Sequence, residues 1–399
     1  MLKIPRRSAA FLVLLFIVTQ APGQTRALRK VSIVAYGARP DQDFDNAKAI
    51  TDAINNADTI IIPKGHFRIK RQMVIRKKSY KTIISRDAVI TNADNSAGTL
   101  FFDNCDHISI IGGTWARASM PDAEGKTGNE HTLTFETCQE VLVKNVLIDG
   151  SPQMGICMMN VIGAGIIGNQ IRNCFRDGIY AHYSVNLKYI NNKLNNIKDD
   201  AMSVHDYGIV NEKGTLIRNG YQQAGHVIVS GNITTHTYQG FSSIGCADMM
   251  INNNRFANTV NAGIAVFNSE HLFPGYTSQT RSIRIRQNKL EGNGYPQLIM
   301  GKRYENQGQL SSGRSALYVA VNDRQDFISH PVTRLSDVSV TGNMVDRCAV
   351  NGVYLAQIDG LIFKDNRFSR CNLVRNAYAT QTIEISACTK KTITNNIVR

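Results

Sequence analysis

Apolar and polar positions in this chain recur as one short phrase: two spaced aliphatic or β-branched residues, an Asn, then another apolar residue. It returns as VLVKNVLI, IIGNQI, YINNKL, VIVSGNI, MINNNRF, IRIRQNKL, VSVTGNM, IFKDNRF and ITNNIV, with Asn at 145, 169, 192, 232, 254, 288, 343, 366 and 396. Where the phrase is regular its interval is about 22–24 residues, the spacing of a solenoid coil. A coil of two helices needs about 33 residues or more, and a coil with one helix carries a leucine signature that is missing here. Runs of three to five residues rich in Ile and Val, alternating with polar residues and broken by Asn and Gly, read instead as short strands with tight turns. Three such strands fill one coil. The expected fold is therefore all-β: a right-handed parallel β-helix.

The longer intervals, 192 to 232, 254 to 288 and 288 to 343, predict insertions near 206–225, 268–281 and 291–330. These stretches are rich in Gly, Asn, Gln, Tyr and Ser and lack periodicity. Long loops on one side of a solenoid build its binding face.

The first residues follow a secretory pattern: Lys3, Arg6 and Arg7, an apolar run from Ala9 to Val18, then small residues at Ala21 and Gly23. That run is too short to span a bilayer as a helix. A cleaved signal peptide over 1–23 predicts a secreted or periplasmic protein with one β-helix domain over 24–399. No later stretch approaches the length of an apolar membrane helix, so no span is expected. With 43% apolar residues the chain can bury a core large enough for a single solenoid.

Charge adds a hint about partners. Dropping Lys3, Arg6 and Arg7 with the leader brings the net charge from +14 to +11. Such a balance suits either a solvated basic surface or a polyanion, an acidic polysaccharide included. Nucleic acid is disfavoured, because the chain is expected to be exported and has no compact basic and aromatic motif. Eight cysteines permit disulfides without demanding them. Cys348 and Cys371 fall one coil apart in matching phrases, and Cys105, Cys138 and Cys388 each precede a strand. Adjacent coils would place such residues ~4.8 Å apart, close enough for a bridge, while a stack of buried free thiols is the slightly favoured reading. No spacing suggests zinc.

Candidate chemistry concentrates between 145 and 267. Asp177 and Asp199 lie one coil apart, so they are expected nearly above one another, with Asp200 beside them. Three carboxyls so close cannot all ionise freely, and at least one pKa should rise. That combination supplies an acid and a base in one place, as glycoside hydrolysis requires. The competing reading is that Asp177 and Asp199 merely end strands and bond turns. Tyr180, His182, His205, Tyr238, Gln239 and Phe267 are the neighbouring candidates for holding a sugar, with Tyr207 a further aromatic. Strand alternation should turn some of them inward. Arg281, Lys302 and Arg303 in the insertions are weaker candidates for anion contacts.

Two stretches resemble known families. AYGARPDQDFDNAKAI followed by IIIPKGHFRI, which sets the cap at 31–65, is similar to the N-terminal cap of pectate-lyase-superfamily β-helices, whose helix covers the open end of the core. The segment from LIDGSPQMG to SVHDYG resembles the polygalacturonase family of glycoside hydrolases. Gly150-Ser151-Pro152 stands where that family has Asn-Ser-Pro, Arg176-Asp177-Gly178 where it has Asn-Thr-Asp-Gly, and Lys198-Asp199-Asp200 where it has Gly-Asp-Asp. The resemblance implies that Asp199 protonates the glycosidic oxygen while Asp177 and Asp200 activate a water, with inversion and without a cofactor. Two family elements are replaced. Tyr238-Gln239-Gly240-Phe241 stands near the expected Gly-His-Gly, with His236 close by, and Ala265, Val266 and Phe267 replace an Arg-Ile-Lys that holds a uronate carboxylate. The substrate is then a polysaccharide or oligosaccharide that is neutral or held from elsewhere.

Two further functions fit the same residues. A β-helix lyase or epimerase would hold Ca²⁺ on Asp199 and Asp200 and abstract a proton with His182, Tyr180 or Arg176. A non-catalytic glycan-binding surface protein would use the acids structurally.

Overall fold

The computed structural model describes residues 28–40, 43–208, 222–268, 278–305, 315–321, 333–374 and 381–399. The leader expected at 1–23 lies outside the described residues. The chain winds as a solenoid of parallel strands. A 13-stranded sheet starts at Lys30–Ser32 and ends at Thr389–Thr394, and two further columns of strands merge into a 21-stranded sheet. They merge because Lys193–His205 and Ile233–Ile244 run without a break through both columns.

In-register stacking builds the core. Leu100, Leu133, Ile156, Ile179, Met202, Phe241, Ile264, Leu317 and Val353 follow one another on successive coils, all essentially inaccessible. Each apolar residue thus packs on its own kind above and below, which is why the pattern repeats once per coil rather than once per strand pair.

The Asn positions form a buried ladder. Asn169 donates its backbone N–H and side-chain amide to Asn192 Oδ1 at 2.9 and 3.0 Å, and the same pair of bonds continues from 192 through 232, 254, 288, 343 and 366 to Asn396. Each amide also donates to a strand carbonyl, as Asn288 does to Ile251 at 2.8 Å. A corner that turns inside a core must satisfy its polar backbone internally, and this ladder does so.

The residue before each rung has positive φ: Gly168 67°, Asn191 54°, Gly231 67°, Asn253 56° and Asp365 59° among them. Asn145, φ 54°, is one of these preceding residues and not a rung; Val146 takes the rung position and donates its N–H to Asn169. This corrects the reading of Asn145 and accounts for the slightly long interval from 145 to 169. Asn there serves because it tolerates the left-handed region.

At the N-terminal end, the helix Ala47–Asn56 buries Ala49, Ile50, Ala53 and Ile54 over the first coil. Asp45 Oδ1 accepts from the N–H groups of Ala47 and Lys70 at 3.1 and 3.0 Å, tying the helix start to a strand end. Among the described residues no helix is long and apolar enough to cross a membrane.

One expected insertion needs redrawing: Leu317–Val319, inside the stretch 291–330, is a coil strand that pairs with Ile264–Phe267 and Val353–Ala356. A hairpin, Gln297–Ile299 with Lys302–Tyr304, projects from the coil before it. Residues 209–221, 269–277, 306–314 and 322–332 lie outside the described residues. All eight cysteines are free thiols, and seven are buried. Cys105 stacks beneath Cys138 and Cys348 beneath Cys371, whereas Cys388 stands opposite Ile358.

Candidate active site

Register decides how the acids meet. Cys174 pairs with Ile197 and Ile179 with Met202, so Asp177 shares its rung with Asp200, not with Asp199. Asp199 instead shares the rung of Arg176. On the next coil Asp200 pairs with Gln239, but Ile197 pairs with Thr237, so Lys198 and Asp199 together face the single residue Tyr238. This is a β-bulge, which bends a strand and re-aims a side chain. A count of 22 residues per coil puts the wrong aspartate above Asp177, because the coil here takes 23.

Tight corner packing accompanies it. Cβ atoms added at Gly178 and Gly240 would lie 2.6 Å from Ala201 O and 2.4 Å from Gly263 O. Glycine is therefore required directly after Asp177 and Gln239, where the chain passes from one sheet column to the next.

Each carboxyl has its own partners. Asp177, 2% exposed, accepts a short hydrogen bond from Ser203 Oγ. Asp200, 5% exposed, accepts from Gln239 Nε2 at 3.0 Å, with His205 Nε2 3.8 Å from its second oxygen. Asp199 is the most open: its side chain is 32% exposed and its Oδ2 lies 3.0 Å from Arg176 Nε. Burial, then the charge of Asp199, pushes Asp177 up to about 8 against the pull of Ser203 and Arg176. Burial and the charges of Asp199 and Asp177 push Asp200 well above the usual carboxylate range, against Ser242 and Gln239. Burial also raises Asp199, and Glu124 adds to it while Arg176 and Lys198 oppose it. At neutral pH the trio therefore holds protons that isolated carboxylates would have lost.

Around them, Tyr180 and His182 on one coil face Ser203 and His205 on the next. All four point away from the core, since Ile179, Ala181, Met202 and Val204 fill it; the inward turn expected for some does not occur. Tyr180 meets His205 edge-on with ring centres 5.3 Å apart, and His205 Nδ1 lies 3.1 Å from Tyr207 Oη. Tyr238 and Gln239 are half-buried beside the bulge.

Phe267 departs from expectation. It is 4% exposed and packs with Tyr318, ring centres 5.2 Å apart, and with Ile244, Ala262 and Ala265. A ring buried there stacks on protein, not on a sugar. Among the weaker candidates, Arg281 bonds Gln223, and Lys302 and Arg303 sit exposed on the projecting hairpin. His236 is half-buried with Nδ1 3.0 Å from Thr235 Oγ1.

A cavity of about 810 Å³ opens beside the acids toward the N-terminal coils. Phe101, Thr134, Cys157 and Tyr180 lie in line along its floor, and the loop 124–129 forms a wall. This loop escaped the sequence pattern because the Asn phrases begin only after it. Its turn-rich composition, MPDAEGKTGN between two strand patterns, is the signal that marks it. Its Glu124 reaches Lys198 Nζ at 3.1 Å and Arg176 Nη1 at 3.5 Å. Ser203 and Ser242, both donors to the acids, were also missed, since nothing in a strand pattern distinguishes them.

Among the described residues no group of three or more His, Cys, Asp or Glu side chains is arranged to hold a metal ion. Asp199 and Asp200 are engaged by different partners, Arg176 and Gln239, and do not converge on one point.

Comparison with known proteins places the fold. A family model described as "Right handed beta helix region" matches residues 155–322. No curated protein matches by sequence. Among solved structures, a family 28 exopolygalacturonase from Yersinia enterocolitica superposes with a TM-score of 0.59 at 12% identity, covering 91% of this chain and 78% of that one. The A-module of the mannuronan C-5 epimerase AlgE4 from Azotobacter vinelandii gives 0.56 at 12% identity, covering 91% and 99%. The surface adhesin PfbA of Streptococcus pneumoniae gives 0.56 at 16%, covering 92% and 90%. The chain is thus a right-handed parallel β-helix protein.

Proposed function

We propose that this protein is an exported glycoside hydrolase that cleaves a polysaccharide or oligosaccharide with Asp177, Asp199 and Asp200. The observation that carries the reading is the trio itself: three clustered carboxyls, two buried and one open, with Arg176, the ion-pair partner of Asp199, lining a cavity of about 810 Å³. Clustered acids with opposed environments are what acid–base cleavage of a glycosidic bond needs.

Asp199, the open member, donates a proton to the glycosidic oxygen as the bond to the anomeric carbon breaks. Asp177 or Asp200, once ionised, takes a proton from the water whose oxygen joins that carbon. One water is consumed, and protons return to the trio through solvent. Arg176 fixes the direction of Asp199, Ser203 that of Asp177 and Gln239 that of Asp200. Tyr180, His182 and His205 line the face on which a sugar ring would lie. The superposed exopolygalacturonase supports the reading without naming the substrate.

Of the three candidate bases of the lyase alternative, His182 is left and the other two find less support. Burial and the neighbouring Tyr207 push the Tyr180 hydroxyl well above its ordinary pKa. Although burial opposes it, Asp199, Asp177 and Glu124 together hold Arg176 above its usual value, so neither residue is poised as a base.

The test is incubation of the mature chain with a panel of neutral and acidic polysaccharides, reading reducing ends and unsaturated uronate absorbance together. Reducing ends without unsaturation, lost in Asp199→Asn, are expected. Unsaturated products would replace the hydrolase by a lyase, and full activity in Asp199→Asn would remove the trio from the chemistry. Export belongs to the same proposal, and the mass of the secreted protein should place its first residue at Gln24.

A further inference from the structure

Glu124 occupies the place where a substrate's own acid group would be held. Arg176 and Lys198 flank the open carboxyl Asp199, and among the described residues both cations act on its charge. Both are already engaged. Glu124 spans them with one oxygen 3.5 Å from Arg176 Nη1 and the other 3.1 Å from Lys198 Nζ, while Arg176 Nε turns to Asp199 at 3.0 Å. Lys198 Nζ also lies 5.5 Å from the centre of the Phe175 ring.

Glu124 is not a loose side chain that a guest could simply displace. The next residue, Gly125, donates its N–H to Pro152 O at 2.8 Å and accepts from Gln153 Nε2 at 2.7 Å. A Cβ on Gly125 would come within 2.6 Å of the Glu130 carboxyl, which itself caps the N–H groups of Thr127 and Asn129 at 2.8 and 2.9 Å. At the base of the loop Arg117, 6% exposed, donates to Asp94 O, Ala97 O and Glu130 O. The wall is thus built to present one carboxylate at one place. Farther along the same cavity stands a second carboxylate, Glu136, and the buried His131, whose pKa burial lowers to about 4, adds no positive charge. Lys126 on the same wall is exposed, so solvent screens its charge.

We infer that Glu124 is a specificity determinant: fixed across Arg176 and Lys198, it excludes a carboxylate from the sugar bound beside Asp199 and so selects a neutral sugar there. This rests on the glycan-cleaving reading of the same site. The physical basis is direct. A uronate entering would meet Glu124 while the cations beside Asp199 are already paired, and charge repulsion with unpaired desolvation rejects a wrong ligand more strongly than lost contacts do. A neutral sugar needs only hydroxyl partners, which the engaged carboxylates and guanidinium still offer. The net positive charge of the chain then acts elsewhere on its surface.

The experiment uses an array of neutral and uronate-containing oligosaccharides, probed with the full mature chain and with Glu124→Gln, briefly and at low temperature to limit turnover. Polygalacturonate and its methyl ester are included as a pair that differs in charge. Wild type should bind neutral and esterified glycans over their charged counterparts. Glu124→Gln should keep neutral binding and gain uronate binding by ~10-fold or more, the range of charge-assisted hydrogen bonds to the freed cations, and Glu124→Gln/Lys198→Gln should lose that gain. Preference of the wild type for uronates, or neutral binding without a gain in Glu124→Gln, overturns the selectivity and leaves the hydrolase intact. Binding of no glycan by any of the three proteins overturns the glycan reading and the selectivity with it. Circular dichroism of each variant separates these outcomes from misfolding.

Discussion

Asp177→Asn should stabilise the protein while inactivating it, and the gain should depend on pH in a defined direction. In the folded chain Asp177 holds its proton up to about pH 8, against an ordinary value of 3.8. Between those values the unfolded chain has released the proton and the native protein has not, so stability falls as pH rises. The contribution is fully present below about pH 4 and lost once pH passes 8. At ~1.36 kcal/mol per unit, the roughly four units separating the two states set a ceiling of about 6 kcal/mol. Asparagine has the same shape, keeps an oxygen to accept from Ser203 Oγ, and does not titrate. Urea unfolding of both proteins at pH 5 and pH 8 reads the effect directly. The variant should gain on the wild type by about 4 kcal/mol between those pH values, three units' worth, while turnover is lost. A stability difference that stays constant from pH 5 to pH 8 would mean that Asp177 titrates as an ordinary carboxyl. It would then be no store for a proton at neutral pH, and the account of the trio would fail at its most buried member.

Two further predictions test neighbouring parts of the same picture. Ser203 donates to Asp177 and lowers its pKa, so Ser203→Ala should move the rising limb of the pH–rate profile to higher pH; an unmoved limb would assign it to another group. Asn288→Ala removes an acceptor for Asn254 N and Nδ2 at 3.0 and 2.9 Å and donors to Ile251 O and Asn343 Oδ1 at 2.8 and 3.0 Å, which should cost about 3–5 kcal/mol by urea unfolding. A loss below ~1 kcal/mol would show that water satisfies the corner in its place.

The two levels of description divide at particular residues. Stacking of Leu133, Ile156, Ile179 and Met202, and the ladder running from Asn169 to Asn396, were legible because a solenoid repeats its environment once per coil, so identical demands leave a period in the chain. The cap helix was legible for a related reason, an apolar stripe with a partner on one side only. The candidate site was legible as composition, three acids within one coil of each other, but its geometry was not. The coil that carries Asp177 takes 23 residues and not 22, so Asp200 and not Asp199 lies on its rung. Asn145 failed for the same kind of reason, one position off the ladder. Phe267 reads as a sugar platform until Tyr318, brought in by the next coil, is seen to cover it. Glu124 belongs to no repeat and is distant from Arg176 along the chain, so only the closed coil brings it to the acids. Local periodicity thus fixed the architecture and the chemical types available. Register, bulges and loops that return from other coils decided which carboxyl is buried, which is open, and which charges each one meets, because pKa and ion pairing depend on distances that a repeat pattern does not carry.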